Sequence, residues 1–143
     1  MRRASALLLL LAMAACAQAP APVLPAGTGP ANATPLEVGA EMAAFFRNPQ
    51  PNRPAEAARA MAELEWLAAS LPTNPRYALA SSVGLNGLQQ ARWEGRRILG
   101  IPQRAPAQGV IAGLAAAARA IDANDQAALA AALPRTTFPL GPQ

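Results

Sequence analysis

Prolines placed where helices begin are the feature of this sequence that most limits its fold. Residues 34–37 read Thr-Pro-Leu-Glu, with a hydroxyl N-cap, proline at the first helical position and glutamate at the third, which together make a capping box. Proline and glutamate recur at residues 54 and 56, and Pro75 and Pro106 mark two further starts. Proline suits these positions because the N–H groups of a first helical turn have no partner within the helix. The chain therefore reads as a series of helices, and their uneven spacing argues against a tandem repeat.

These signals predict four or five helices, at residues 35–47, 54–71, 75–99 and 106–122, and around Leu129 and Leu133 before Pro134. No window alternates β-branched and polar residues as a half-buried strand would. For a chain of 143 residues, this predicts a single all-α, Ala-rich bundle over residues 35–134, followed by a tail at 135–143. Gly84 and Gly87 also predict a kink or break in the third helix, because glycine weakens a helix interior.

The periodicity of the second and third helices indicates which faces are buried. The second helix has an apolar face at Ala57, Met61, Leu64, Leu67, Ala68 and Leu71, and its solvated side is predicted at Glu56, Arg59 and Glu63. In the third helix, Ala91 and Gly95 lie on one face with Leu88 and Leu99. Small residues on that face allow a neighbouring helix to approach closely, so a compact core is expected.

The first 15 residues have the organisation of a secretory signal peptide. Arg2 and Arg3 precede an uncharged run with five consecutive leucines at residues 7–11, and small residues follow. The run is about half a bilayer long, too short for a permanent membrane span. Residues 13–16, Met-Ala-Ala-Cys, resemble the lipobox of bacterial lipoproteins, although Met13 stands where leucine is usual.

This resemblance implies that residues 1–15 are removed and that Cys16, the single cysteine of the chain, is acylated and anchors the protein to the membrane. Ala17 rather than aspartate follows the cysteine, which by the same resemblance favours the outer membrane, with the protein facing the periplasm. The alternative is ordinary signal cleavage near Cys16, without a lipid. Residues 16–34 hold four prolines and few large apolar side chains, so residues 17–33 are predicted to be a flexible tether.

Composition excludes several classes of function. The chain has no histidine and one cysteine, so the usual zinc, haem and iron–sulfur ligand sets are missing, as are Ser–His and Cys–His nucleophile pairs. Glu63 and Glu65 are two residues apart on one helix and should point in different directions, which does not suit a shared reaction. No catalytic residue, metal site or cofactor is therefore predicted, and the protein is not expected to be an enzyme.

The charge balance does not indicate a nucleic-acid partner. The chain has twelve basic residues, all arginine, and 8 acidic residues. Removal of Arg2 and Arg3 with the signal peptide would leave the numbers of positive and negative charges close to equal. A nucleic-acid-binding domain would be expected to carry a clear basic excess on one face.

One polar stripe on the third helix is a candidate binding face. Asn86, Gln90, Trp93 and Arg97 follow one another at helical spacing. An aromatic ring with amides and a guanidinium can stack on a sugar and bond its hydroxyls, or hold an anion. In the alternative, structural interpretation, the third helix is central, Trp93 packs on another helix, and Arg97 lies over its ring.

The neighbouring arginines also have two interpretations. Arg92, Arg96 and Arg97 could contact lipid phosphate near a membrane, or they could form an ordinary solvated face with Glu94 as a local partner. Taken together, the sequence favours a lipid-anchored helical envelope protein with a non-catalytic role in protein interaction or structure. The alternative is a glycan- or anion-binding module that uses the stripe around Trp93.

Overall fold

The computed structural model describes residues 20–142, and these residues form a helical bundle without a strand. The five α-helices are α1 (Pro35–Arg47), α2 (Pro54–Ser70), α3 (Ser82–Ile98), α4 (Ala107–Asp122) and α5 (Gln126–Ala132). Two short 3-10 turns, Leu71–Thr73 and Pro75–Tyr77, connect α2 to α3. The predicted all-α bundle of four to five helices is confirmed. The predicted signal peptide and the predicted lipidation site, Cys16, lie outside the described residues.

Local capping explains where the helices begin. The Thr34 N–H donates to Glu37 Oε2 at 2.7 Å, and the Glu37 N–H donates back to Thr34 Oγ1 at 3.4 Å, so the predicted capping box starts α1. Asp125 caps α5 by accepting a bond from the Ala128 N–H. Pro106 is the N-cap of α4 rather than its first helical residue, which shifts that start by one position.

The third helical segment differs from its prediction. A single helix over residues 75–99 is replaced by a 3-10 turn and a separate α3, and the chain turns between them at residues 78–81. Ser81 supplies a new N-cap, because its hydroxyl accepts a bond from the Gly84 N–H. Gly84 and Gly87 therefore lie inside a continuous helix, and the break predicted at these glycines is wrong.

The bundle is built around α2, which packs against α1, α3 and α4, while α5 packs against α4. The apolar core includes Ala62 of α2, Val110 and Leu114 of α4, and Ile101 from the α3–α4 loop. Alanines and glycines keep these helices close, as predicted. Phe138 completes this core from the segment expected to be a free tail, so the packed region extends beyond residue 134.

The part of the predicted tether that the structure describes, residues 20–33, lies on the bundle. Trp66 Nε1 donates to the carbonyl oxygen of Pro22 at 3.0 Å. The Gln108 side chain forms two hydrogen bonds with the Val23 backbone. Its Oε1 accepts from the Val23 N–H at 2.7 Å, and its Nε2 donates to the Val23 carbonyl oxygen at 3.1 Å. Proline-rich backbone has no internal hydrogen-bond ladder, so its polar groups are free to bond with side chains. The described part of the segment therefore contacts the bundle through these bonds, while its flexibility in solution stays a prediction.

Two glutamates of α2 are buried, and for one of them this differs from expectation. Glu63, predicted on the solvated side, is only 1% exposed, and Glu65 is buried to the same extent. Because α2 has neighbours on three sides and the 27–30 turn covers Glu63, a one-sided helix pattern does not apply to it. None of the helices within residues 20–142 is long and apolar enough to cross a membrane.

Candidate interaction groove and the polar face of α3

The predicted polar stripe lies on the outer side of α3. Trp93 is 48% exposed, and Asn86, Gln90 and Arg97 are exposed as well. The Arg97 guanidinium carbon lies 5.9 Å from the centre of the Trp93 ring, so the predicted cation–π pair is present. Gln90 Nε2 donates to Glu94 Oε1 at 2.8 Å, within the same helix. The four side chains thus share one exposed face, as their spacing predicts.

The interpretation in which Trp93 packs against another helix is wrong. It assumed that α3 is central, whereas α3 lies at the side of the bundle and packs mainly on α2. Close approach to α2 uses Gly95, where an added Cβ would collide with the Met61 side chain. Only one face of α3 is therefore covered by protein, and Trp93 lies on another.

The basic patch predicted on α3 is divided between the interior and the surface. Arg96 is 1% exposed, and its guanidinium binds both carboxylate oxygens of Glu65, with Nε at 3.0 Å from Oε2. Arg92 Nε donates to Glu65 Oε1 at 2.7 Å. Only Arg97 of the three remains on the exposed face, so neither a solvated arginine face nor a three-arginine lipid contact describes this region.

Arg96 also organises the α3–α4 loop. Its NH1 group donates to the carbonyl oxygens of Gln103 at 2.8 Å and Ala105 at 2.9 Å, and to that of Pro102 at 3.2 Å. These bonds fix the loop against the end of α3. The spacing carried a signal for this burial, because residues 88, 92, 96 and 99 follow one helical face. Arg96 was nevertheless predicted at the surface, because arginine side chains are normally exposed.

An apolar groove lies between α1, the end of α2 and the start of α3. Its volume is about 540 Å³, and no charged side chain lines it among residues 20–142. We call it the α1–α3 groove, and it is lined by Pro35, Leu36, Gly39, Ala40, Met42, Leu67, Leu71, Tyr77, Ala80, Ser81, Gly84, Leu85 and Leu88.

One large apolar side chain of the lining is exposed, and so are two that adjoin lining residues in the sequence. Leu36 of its lining is 80% exposed, and Val83, beside the lining residue Gly84, is equally exposed. Leu79, in the turn before α3, is fully exposed. Exposed apolar surface of this kind is typical of protein interaction sites. The groove was not predicted from the sequence, because residues 78–81 were predicted to be helical. They form a turn, and α3 lies beside α1 after it.

The described residues offer little for metal chemistry. Residues 20–142 hold no group of three or more His, Cys, Asp or Glu side chains arranged to bind a metal ion. Comparisons of the chain with protein-family models, with curated proteins and with solved structures found no match.

Proposed function

We propose that this protein is a lipid-anchored helical protein of the bacterial envelope that acts, without catalysis, by binding a partner protein through the α1–α3 groove. The observation that carries the proposal is the set of uncharged side chains that line the groove, among them the 80% exposed Leu36. Removing apolar surface from water contributes about 25 cal/mol per Å². A partner that covers these side chains would therefore gain binding energy from them.

The shape and chemistry of the groove favour an amphipathic helix as the bound element. The groove runs between two helices, and such grooves accept the apolar face of a third helix, with anchors spaced three and four residues apart. A peptide strand would need an exposed sheet edge, and residues 20–142 contain no sheet. The absence of lining charge means that the partner's contacting face is apolar.

The lipid anchor is supported by the sequence of the first 16 residues. A positive start, an apolar run and the Met-Ala-Ala-Cys motif precede the single cysteine of the chain. Acyl chains contribute about 0.8 kcal/mol per buried methylene, and more than one chain gives stable attachment. The anchor would hold the bundle at the outer membrane, facing the periplasm, within reach of envelope partners.

A second candidate function is binding of an envelope glycan or an anion by the stripe of Asn86, Gln90, Trp93 and Arg97. The observation that favours it is the exposed Trp93 ring beside the Arg97 guanidinium, because such a ring can stack on a sugar. With Trp66 replaced by phenylalanine, soluble peptidoglycan fragments should quench the fluorescence of Trp93. Unchanged fluorescence up to millimolar fragment would exclude this candidate.

Photocrosslinking in cells tests the groove proposal. A photoreactive amino acid at position 40, an exposed residue of the lining, should give a discrete adduct with a second protein, and Leu36→Gln should remove that adduct. Ile98 provides the matched control, because it is a large exposed side chain at the end of α3 away from the groove. Ile98→Gln should leave the adduct intact. An adduct that survives Leu36→Gln, or none at position 40, would contradict the proposal.

A further inference from the structure

A second cavity, lined by different residues from those of the α1–α3 groove, lies between the 27–30 turn, α1 and α2. Its volume is about 790 Å³, which is within the usual range for small-molecule sites. Its charged lining residues are three glutamates, Glu41, Glu56 and Glu63, and one arginine, Arg59, and the lining also includes Thr28 and the ring of Phe45. We call it the Glu63 cleft.

Glu63 is the unusual member of this lining. Its side chain is buried, and its Oε1 atom has no hydrogen-bond partner among the described residues. The hydroxyl of Thr28, also in the lining, is likewise buried without a partner. A Cβ added at Gly29 would lie 3.2 Å from Glu63 Oε1, so the turn passes directly over the carboxyl group. Buried polar atoms almost always form a hydrogen bond. Two such atoms without a partner in the lining of one cavity therefore indicate a site for a ligand.

The charges around Glu63 make the cleft negative. Glu41 faces it from α1, and the 27–30 turn contributes no charge. On α2, Arg59 is ion-paired with Asp122 of α4, and Glu56 is paired with Arg53 at 2.6 Å. Arg53 and Arg59 are therefore already ion-paired with other carboxylates, and within residues 20–142 no ion pair joins a cation to Glu41 or Glu63.

We propose that the Glu63 cleft binds a small organic cation, an ammonium or guanidinium compound, whose charged group sits at the carboxylates of Glu41 and Glu63. The hydroxyl oxygen of Thr28 accepts a hydrogen bond from an N–H group of this cation, and the Phe45 ring makes a cation–π contact with it. An organic cation fits better than a metal ion, because residues 20–142 present no metal-binding group of carboxylates. This inference is independent of partner binding in the α1–α3 groove.

Proton release is the signature of this binding. Burial, with Glu41 as a second cause, raises the pKa of Glu63 to about 8, and Arg59 opposes the shift. At neutral pH the empty cleft therefore holds a mostly protonated Glu63, and a bound cation replaces that proton. For a ligand of fixed charge, affinity should rise about tenfold per pH unit below 8 and become level above it.

The test is titration of the full chain, in an uncharged detergent, with methylguanidine and with methylammonium, both of which carry N–H donors and keep their charge across this pH range. Amide resonances of Thr28 and Gly29 should shift with a saturable dissociation constant, which should fall about tenfold between pH 6 and pH 7. Calorimetry in buffers of different ionisation enthalpy should show release of nearly one proton per ligand at pH 7.

Two variants make the result specific. Glu63→Gln resembles the protonated side chain, should fold, and should lose binding, whereas Glu94→Gln on the exposed face of α3 should bind as the wild type does. Methyl phosphate and N-acetylglucosamine should give no shifts at Thr28. Binding that is independent of pH, binding that survives Glu63→Gln, or no saturable shift with either cation would overturn the proposal.

Discussion

Arg96 of α3 and Glu65 of α2 form an ion pair in which each side chain is 1% exposed. The guanidinium engages both carboxylate oxygens and also binds carbonyl groups of the α3–α4 loop. One buried cation therefore connects two helices and a loop. Its charge is balanced by Glu65, which Arg92 also contacts, so the pair is part of the architecture rather than of the exposed face of α3.

Removing the cation should be strongly destabilising. Arg96→Met keeps apolar volume but leaves the Glu65 carboxylate buried with Arg92 as its remaining partner, and such a change costs about 3–5 kcal/mol. Arg53→Met is the control, because the Arg53–Glu56 pair is largely exposed and such pairs contribute about 0–1 kcal/mol. Urea denaturation measures both. Similar small losses for the two variants would contradict the structural role of Arg96.

Trp93→Ala should have a modest effect on folding. Since the side chain is 48% exposed, the loss should be about 1 kcal/mol, compared with about 2–5 kcal/mol for Leu67→Ala in the core. Thermal denaturation of the two variants compares them directly. A loss for Trp93→Ala as large as that for Leu67→Ala would mean that Trp93 is buried.

The N-terminal segment should be protected where it meets the bundle. The Val23 amide donates to Gln108, so it should exchange slowly with solvent in the wild type. Gln108→Ala removes both bonds to Val23, each contributing about 1 kcal/mol, and should speed that exchange. The amide of Val38 in α1 should be unaffected. Fast exchange at Val23 in the wild type would instead favour a free tether.

Glu63 should make folding stability depend on pH. Its pKa is raised to about 8 in the folded protein from a usual value of 4.5, so the folded state binds more protons than the unfolded state between these values. The free energy of unfolding should therefore fall as pH rises through this window, by at most about 1.4 kcal/mol per pH unit, and level off above pH 8.

Urea denaturation from pH 5 to pH 9 measures this dependence. Glu63→Gln should flatten the profile and be more stable than the wild type at pH 8.5, while Glu94→Gln should keep the slope. Parallel profiles for the wild type and Glu63→Gln would show that Glu63 ionises normally.

Local signals were sufficient to predict most helix boundaries. The capping box at Thr34 predicted the start of α1 at Pro35. The same reasoning failed at residues 75–81, because Pro75 begins a 3-10 turn there and Ser81 competes as a second N-cap. Sequence alone does not decide which of two adjacent start signals the packed chain uses.

The polar interior could not be predicted in the same way. Glu63, Glu65 and Arg96 are charged residue types that are normally exposed, and their burial depends on α2 having neighbours on three sides. The segment over Glu63 was expected to be a tether, so nothing in the sequence placed Gly29 against that carboxyl group. The exposed stripe around Trp93, by contrast, followed directly from helical spacing.

The N-terminal residue of the mature protein is the most direct test of lipid anchoring. The protein should be expressed with its own leader in a bacterium that processes lipoproteins, and its N-terminal peptide analysed by mass spectrometry. We expect a chain that begins at Cys16, carries diacylglyceryl and N-acyl groups, and partitions into detergent, whereas Cys16→Ser should lose both modification and partitioning. A soluble, unmodified chain that begins at Gln18 would contradict the proposed function.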